Sequence, residues 1–191
     1  MVSKAIRVIC LLVWLAVLLV GVGSYIRDPS TFTPENIAAF MGRFGSYIWA
    51  AYLIMSALRG FTLLPSTPLV IAGTLIFPEN SLTLFIVAMA GIILSSTMIY
   101  FFSDKLGFHE YFESHKPDLV HKLKAKLDHP LGMAFVAVWA FFPLVPTDLV
   151  CYVAGTTEMS YPRFIVAIFV GEAILCSFYI FLGGSIVQYF R

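Results

Sequence analysis

Two long apolar stretches of this chain are each broken near their centre by a pair of prolines three residues apart, Pro65 with Pro68 and Pro143 with Pro146. The first stretch, residues 44–77, carries one charge, Arg59; the second, residues 131–157, carries one charge, Asp148. Proline removes a backbone donor and clashes with the preceding turn, so neither stretch is expected to form one uninterrupted helix. As a single helix the first would be about 51 Å long, well beyond the ~30 Å hydrocarbon core, and two complete spans would need ~20 residues each. A helical hairpin that enters partway, turns at the prolines and returns fits this arithmetic. Irregular backbone at membrane depth is tolerated only where protein buries it or where it lines a water cavity.

The surrounding composition supports a membrane setting. Of the 191 residues, 60% are hydrophobic and only 12% charged, with a mean hydropathy of +0.90. A soluble domain carries about a quarter charged residues. The composition therefore excludes an ordinary cytosolic enzyme or a disordered chain, and a net charge of +1 gives no field for nucleic acid. Three unbroken apolar runs, residues 5–26, 82–102 and 164–187, are each long enough to span. The rival reading of the first is a cleaved leader ending at Gly21-Val22-Gly23. Residues 27–43 read as a water-facing connector, with Ser30 or Thr33 capping a short helix from Pro34. The small residues Ala88, Ala90, Gly91, Ser95 and Ser96 suit close helix contact. Residues 103–130 hold five lysines and all four histidines, and Leu119, Val120, Leu123 and Leu127 predict one short amphipathic helix on the membrane surface. Cys10, Cys151 and Cys176 are scattered in apolar runs and read as small buried hydrophobes.

The two broken stretches resemble each other. Pro65-Ser66-Thr67-Pro68-Leu69-Val70 leads to Ala72-Gly73-Thr74, and Pro146-Thr147-Asp148-Leu149-Val150 leads to Ala154-Gly155-Thr156. Each is followed by a polar turn and a long span. The predicted fold is an all-α integral membrane protein: an N-terminal transmembrane helix and connector, residues 1–43, then a membrane domain, residues 44–191. That domain is an inverted repeat of two re-entrant hairpins (44–77 and 131–157), each followed by a span (82–102 and 164–187), with the loop 103–130 between them. Binding sites in such folds lie where the broken helices meet. With the N-terminus inside, eight basic residues are cytoplasmic and three outside, which predicts a cytoplasmic N-terminus.

Arg59-x5-Pro65-x2-Pro68, with Ala72-Gly73 and Phe77, resembles the first re-entrant motif of the DedA superfamily. Pro143-x2-Pro146-x-Asp148-Leu149-Val150, then Ala154-Gly155-Thr156 and Ser160-Tyr161-x-Arg163-Phe164, is similar to the second, closest to the VTT-domain (SNARE-associated Golgi protein) branch. The resemblance covers roughly residues 40–190. It implies inward-facing re-entrant hairpins and movement of lipids between leaflets, as in bacterial recycling of a polyprenyl-phosphate carrier or eukaryotic phospholipid scrambling. Two departures stand out. Ala140 occupies a position where the branch usually has arginine, and Gly171-Glu172 replaces a common Gly-Pro step.

Three charges fall inside apolar segments. The guanidinium of Arg59 suits a lipid phosphate, or else an acid partner or the interface. Asp148 reads as a proton or ion site, as the counter-charge of Arg59, or as a helix cap; Glu172 reads as a second proton or ion group, or as a protonated residue bonded to a neighbouring helix. Ser66, Thr67 and Thr147, beside Pro65, Pro143 and Pro146, line a site for an anionic headgroup or satisfy carbonyls freed by the prolines. His109-Glu110 and Glu113-x-His115 do not make a zinc motif, and no hydrolase motif occurs, so no cofactor, metal or catalytic residue is expected. The predicted function is a flippase- or scramblase-like lipid transporter in a bacterial inner membrane, with anionic or phosphate-bearing lipids as partners and a possible homo-oligomer. The alternatives are a proton- or cation-coupled carrier of a small solute, or a membrane scaffold.

Overall fold

A computed structural model of the protein describes residues 4–106, 108–115, 117–143 and 145–183. Every regular element among the described residues is helical. The unbroken apolar runs form the long helices: α1 (Lys4–Arg27), α5 (Ser81–Lys105) and α10 (Tyr161–Ser177), the last continuing through a wider π turn, Phe178–Gly183. Residues 184–187 of the predicted last span lie outside the described residues. Four stretches are long and apolar enough to cross a membrane: Val8–Arg27, Pro34–Thr62, Ser81–Ser103 and Tyr161–Gly183.

The proline-broken stretches form short helices. The first gives α3 (Ile48–Leu58), a tight turn over Arg59–Thr62, and α4 (Thr67–Ile76). Leu63 ends that turn at φ +56°, a left-handed conformation uncommon for a bulky residue. The second gives α8 (Pro130–Phe141) and α9 (Thr147–Thr156). Each arm has only 10 to 12 residues.

The connector differs in part from its prediction. Thr33 does cap α2 (Pro34–Met41), accepting from the Asn36 amide with Pro34 in the first turn. However, Ile37 and Met41 are buried, because α2 packs on α4 rather than lying free in water. Gly45, at φ +51° and ψ −123°, breaks the path between α2 and α3. The polar loop also holds two short helices instead of one, α6 (Phe108–His115) and α7 (Pro117–Asp128). Val120 and Leu127 of α7 are buried, and α7 packs on α8.

Packing follows the sequence repeat. α3 lies on α5, the long helix that follows its own proline-broken stretch, and α8 lies on α10 in the same relation. The other arms cross over: α9 packs on α5, and α4 packs on the turn that continues α10. Small residues set these approaches. A β-carbon on Gly91 would sit 2.4 Å from Ser56 Cβ, and one on Gly171 would sit 2.3 Å from the Ala137 carbonyl. Ala88, Ser95 and Ser96 are buried in these contacts, whereas Ala90 faces outward. Helix α1 is peripheral, with none of residues 8–27 buried. It is held by Trp14, whose indole Nε1 donates to Tyr152 Oη at 2.6 Å, and by Gly21 against Thr62.

Candidate functional site

The two proline breaks meet at the centre of the bundle. Arg59 opens the turn after α3, and Asp148 lies in the first turn of α9, where the helix N-terminus favours a carboxylate. Arg59 Nη1 donates to Asp148 Oδ2 at 2.9 Å and to the Leu64 carbonyl at 2.7 Å. Their side chains are 7% and 1% exposed. Pro146, not Asp148, occupies the cap position of α9, so Asp148 is free to reach across to the other break. A second link runs the same way: Thr67 Oγ1, at the start of α4, donates to the Pro143 carbonyl at 3.3 Å.

Glu172 approaches this centre from α10 and is fully buried. Its Oε1 accepts from Thr147 Oγ1 at 2.6 Å. Three buried oxygens around the cluster have no hydrogen-bond partner: Asp148 Oδ1, Glu172 Oε2 and Ser95 Oγ, the last from α5. Among the described residues, Arg59, Asp148 and Glu172 are the buried charged side chains, so the core sets one cation against two acids.

The remaining predicted site residues surround this centre in different roles. Ser66 is buried, and its carbonyl accepts from the Leu69 and Val70 amides, while its hydroxyl makes no cap bond. Pro65 lines a recess of about 290 Å³ with Ile37, Met55, Leu58, Thr62 and Arg59, so the guanidinium borders an otherwise apolar space. The Pro146 carbonyl accepts from Trp139 Nε1 at 3.3 Å. Thus Thr67 and Pro143 tie the two breaks together, Thr147 ties the second break to α10, Pro146 is held within its own stretch, and only Arg59 and Pro65 of the predicted set border the recess.

Position 140 explains one departure noted in the sequence. Ala140 is fully buried, and a β-carbon on Gly171 would lie 2.7 Å from its own. The α8–α10 crossing leaves no space there for a long side chain. Two site neighbours were not singled out from sequence, Gly60 and Ser95. Gly60 could have been flagged by its place beside Arg59 in the break. Ser95 reads from sequence only as a small packing residue.

Comparison with known proteins adds one finding. The family model described as the VTT domain matches residues 64–185, a span that contains both acids and the second break but begins after Arg59. No curated protein and no solved structure matches the chain.

Proposed function

Because this chain belongs to the VTT-domain family, that of the DedA and SNARE-associated Golgi proteins, and is an integral membrane protein, we propose that it moves a phosphate-bearing lipid headgroup between leaflets. The observation that carries this reading is the way Arg59 is bonded. Both of its hydrogen bonds fall on Nη1, and Nε and Nη2 make none to a described residue. A guanidinium has five N–H donors in a fork suited to two phosphate oxygens. Arg59 is therefore anchored on one nitrogen, keeps the donors of the other two for a phosphate, and borders an otherwise largely apolar recess.

On this reading Asp148 stands in for the phosphate while the site is empty and gives up Arg59 when a headgroup arrives. Thr147 holds Glu172 in place, and the Thr67–Pro143 bond keeps the two breaks in register. We read α3–α4 and α8–α9 as re-entrant hairpins of opposite orientation. The support is length: arms of 10 to 12 residues rise only about 15–18 Å, half a bilayer. The matching contacts of α3 with α5 and of α8 with α10 are what an inverted repeat requires. We place the N-terminus in the cytoplasm and the protein in a bacterial inner membrane.

The test is reconstitution of the purified full chain into liposomes with labelled phospholipid and polyprenyl phosphate. Wild type should expose the labelled headgroup to an external reagent, and Arg59→Gln should slow this at least about tenfold, the loss of one charge-assisted contact. Headgroup movement no faster than in protein-free vesicles, for every lipid tried, would sink the proposal.

A further inference from the structure

Away from the proline breaks, a second place on the molecule joins basic groups to exposed apolar surface. The composition changes abruptly near residue 130. Residues 103–130 hold five lysines and all four histidines, whereas residues 131–157 hold one charge. Helix α7 ends and α8 begins at this boundary. Gly132 lets the two meet: a β-carbon there would lie 2.5 Å from Leu127 Cα and closer still to the Lys126 carbonyl. The last turn of α7 therefore rests directly on the first turn of α8, with Val120 and Leu127 on its buried side. Beside this contact runs an open groove of about 600 Å³, whose lining includes Leu123, Lys126, His129, Leu131 and Phe135.

The groove is polar at one end and apolar at the other. From His129 through Leu131 to Phe135 its wall climbs α8 by about 9 Å. Leu131 and Phe135, one turn apart, are 74% and 54% exposed on a short apolar helix. At the other end, both titratable groups among the described lining residues are basic. Lys126 makes no ion pair with a described residue, whereas Lys124 of the same helix is taken up by Glu158 at 3.0 Å. Lys122 stands one turn before Lys126, and Asp118, the acid of the first turn of α7, is about 12 Å of helix away. His129 Nδ1 accepts from the Leu131 amide at 3.2 Å, which puts the ring hydrogen on Nε2 as a second donor.

An apolar wall with cationic donors at one end complements a phospholipid, chain and headgroup together. A water-soluble phosphate would leave Leu131 and Phe135 uncovered, and a zwitterionic headgroup would leave the lysine charge uncompensated. Basic residues on a surface helix favour lipids of net negative charge. We infer that an anionic phospholipid docks in the α7–α8 groove, its phosphate on Lys126 and His129 and an acyl chain along Leu131 and Phe135. This site shares no lining residue with the recess at Arg59, so it holds a lipid of the surrounding leaflet whether or not the protein moves one.

The experiment uses the full chain in phosphatidylcholine vesicles that carry a small fraction of photoreactive lipid, either phosphatidylglycerol or phosphatidylcholine with a diazirine in one acyl chain. After illumination, mass spectrometry maps the label. Phosphatidylglycerol should label the peptide containing Leu131 and Phe135 at least about fivefold more than phosphatidylcholine does, the worth of one lysine near an anionic surface. Lys126→Gln should remove most of that preference, and Lys126→Arg should keep it. Lys124→Gln removes the same charge from the same helix outside the groove and should leave the preference intact. Equal labelling by the two lipids overturns the site. So does a loss in Lys124→Gln as large as in Lys126→Gln, which would mean diffuse surface charge alone. Displacement of the labelled lipid by glycerol phosphate would make the ligand a free phosphate, and a segment that neither lipid labels would mean that protein covers the groove; either result also overturns it.

Discussion

A double-mutant cycle on Arg59 and Asp148 addresses the central contact directly. The two charges are joined at 2.9 Å with side chains 7% and 1% exposed, so solvent screening is small. At an effective dielectric near 20, unit charges ~4 Å apart attract by about 4 kcal/mol, and removing one partner of a buried pair costs about 3–5 kcal/mol. Arg59→Gln and Asp148→Asn should each destabilise within that range. They should not be equal. Asp148→Asn leaves the guanidinium its bond to the Leu64 carbonyl and its edge on the recess. Arg59→Gln leaves a fully buried carboxylate whose other oxygen already lacks a partner. It should therefore be the costlier change.

The double variant removes both charges together and should cost little more than the milder single change, a coupling of about 2–4 kcal/mol. Reversible unfolding in mixed micelles, followed by tryptophan fluorescence, gives all four stabilities. Costs that add to within about 0.5 kcal/mol, or Asp148→Asn proving the costlier single change, would refute the argument. The same variants give opposite signs in binding: Asp148→Asn should tighten lipid-phosphate binding, since nothing then competes for Arg59, and Arg59→Gln should weaken it.

Three further outcomes follow from contacts away from that pair. Thr147→Val keeps the shape of the side chain but leaves both oxygens of buried Glu172 without partners, and should cost about 1–3 kcal/mol, recovered by Thr147→Ser, in the same unfolding assay. Gly155→Val should destabilise by about 1–3 kcal/mol or more and so lower the thermal midpoint, since a β-carbon there would fall 2.3 Å from the Tyr100 carbonyl and 2.1 Å from Ser103 Oγ; an unchanged midpoint would mean the α5–α9 contact is looser than described. In the exposed connector, hydroxyls of Ser30 and Thr31 donate to Asp28 and hold its carboxyl below the usual carboxylate range. The depressed value means this local turn is favoured above the ordinary Asp range and weakens as pH falls through it, so the protection of the Ser30 amide, its exchange rate relative to the intrinsic rate at each pH, should fall on acidification in wild type and stay constant in Asp28→Ala.

What could be read from the sequence was what single segments dictate. The proline pairs, the length of the apolar runs and the Ala-Gly-Thr repeat each depend on neighbours along the chain, and they locate the short arms α3, α4, α8 and α9 to within a few residues. Arg59, Asp148 and Glu172 could be picked out because charge in an apolar run is conspicuous, and one of the readings for Asp148 paired it with Arg59. The pairing itself could not be chosen from sequence, because it joins residues 89 apart through the approach of two turns. Ile37 and Met41 looked like parts of a wet connector because their burial depends on α4 lying across them. Ser95 was hidden for a related reason. A serine on a long apolar helix reads as spacing, and its meaning comes from Gly60 on another element, which no periodicity along α5 records.

The small residues at the α8–α10 crossing give the cluster its uneven charge. Gly171 admits the Ala137 carbonyl and Ala140 to within contact, and that close approach carries the next residue, Glu172, to the Thr147 hydroxyl. A bulky or charged side chain at position 140 would force the helices apart and draw Glu172 away from the second break. Ala140 and the Gly171-Glu172 step are therefore one arrangement rather than two separate departures from the family pattern. Its consequence is that the second break contributes an acid and a hydroxyl but no base, leaving Arg59 of the first break as the buried cation of the described residues. The two breaks are tied by Thr67 to Pro143 as well as by the ion pair, so any change in the pairing of Arg59 bears on both of them.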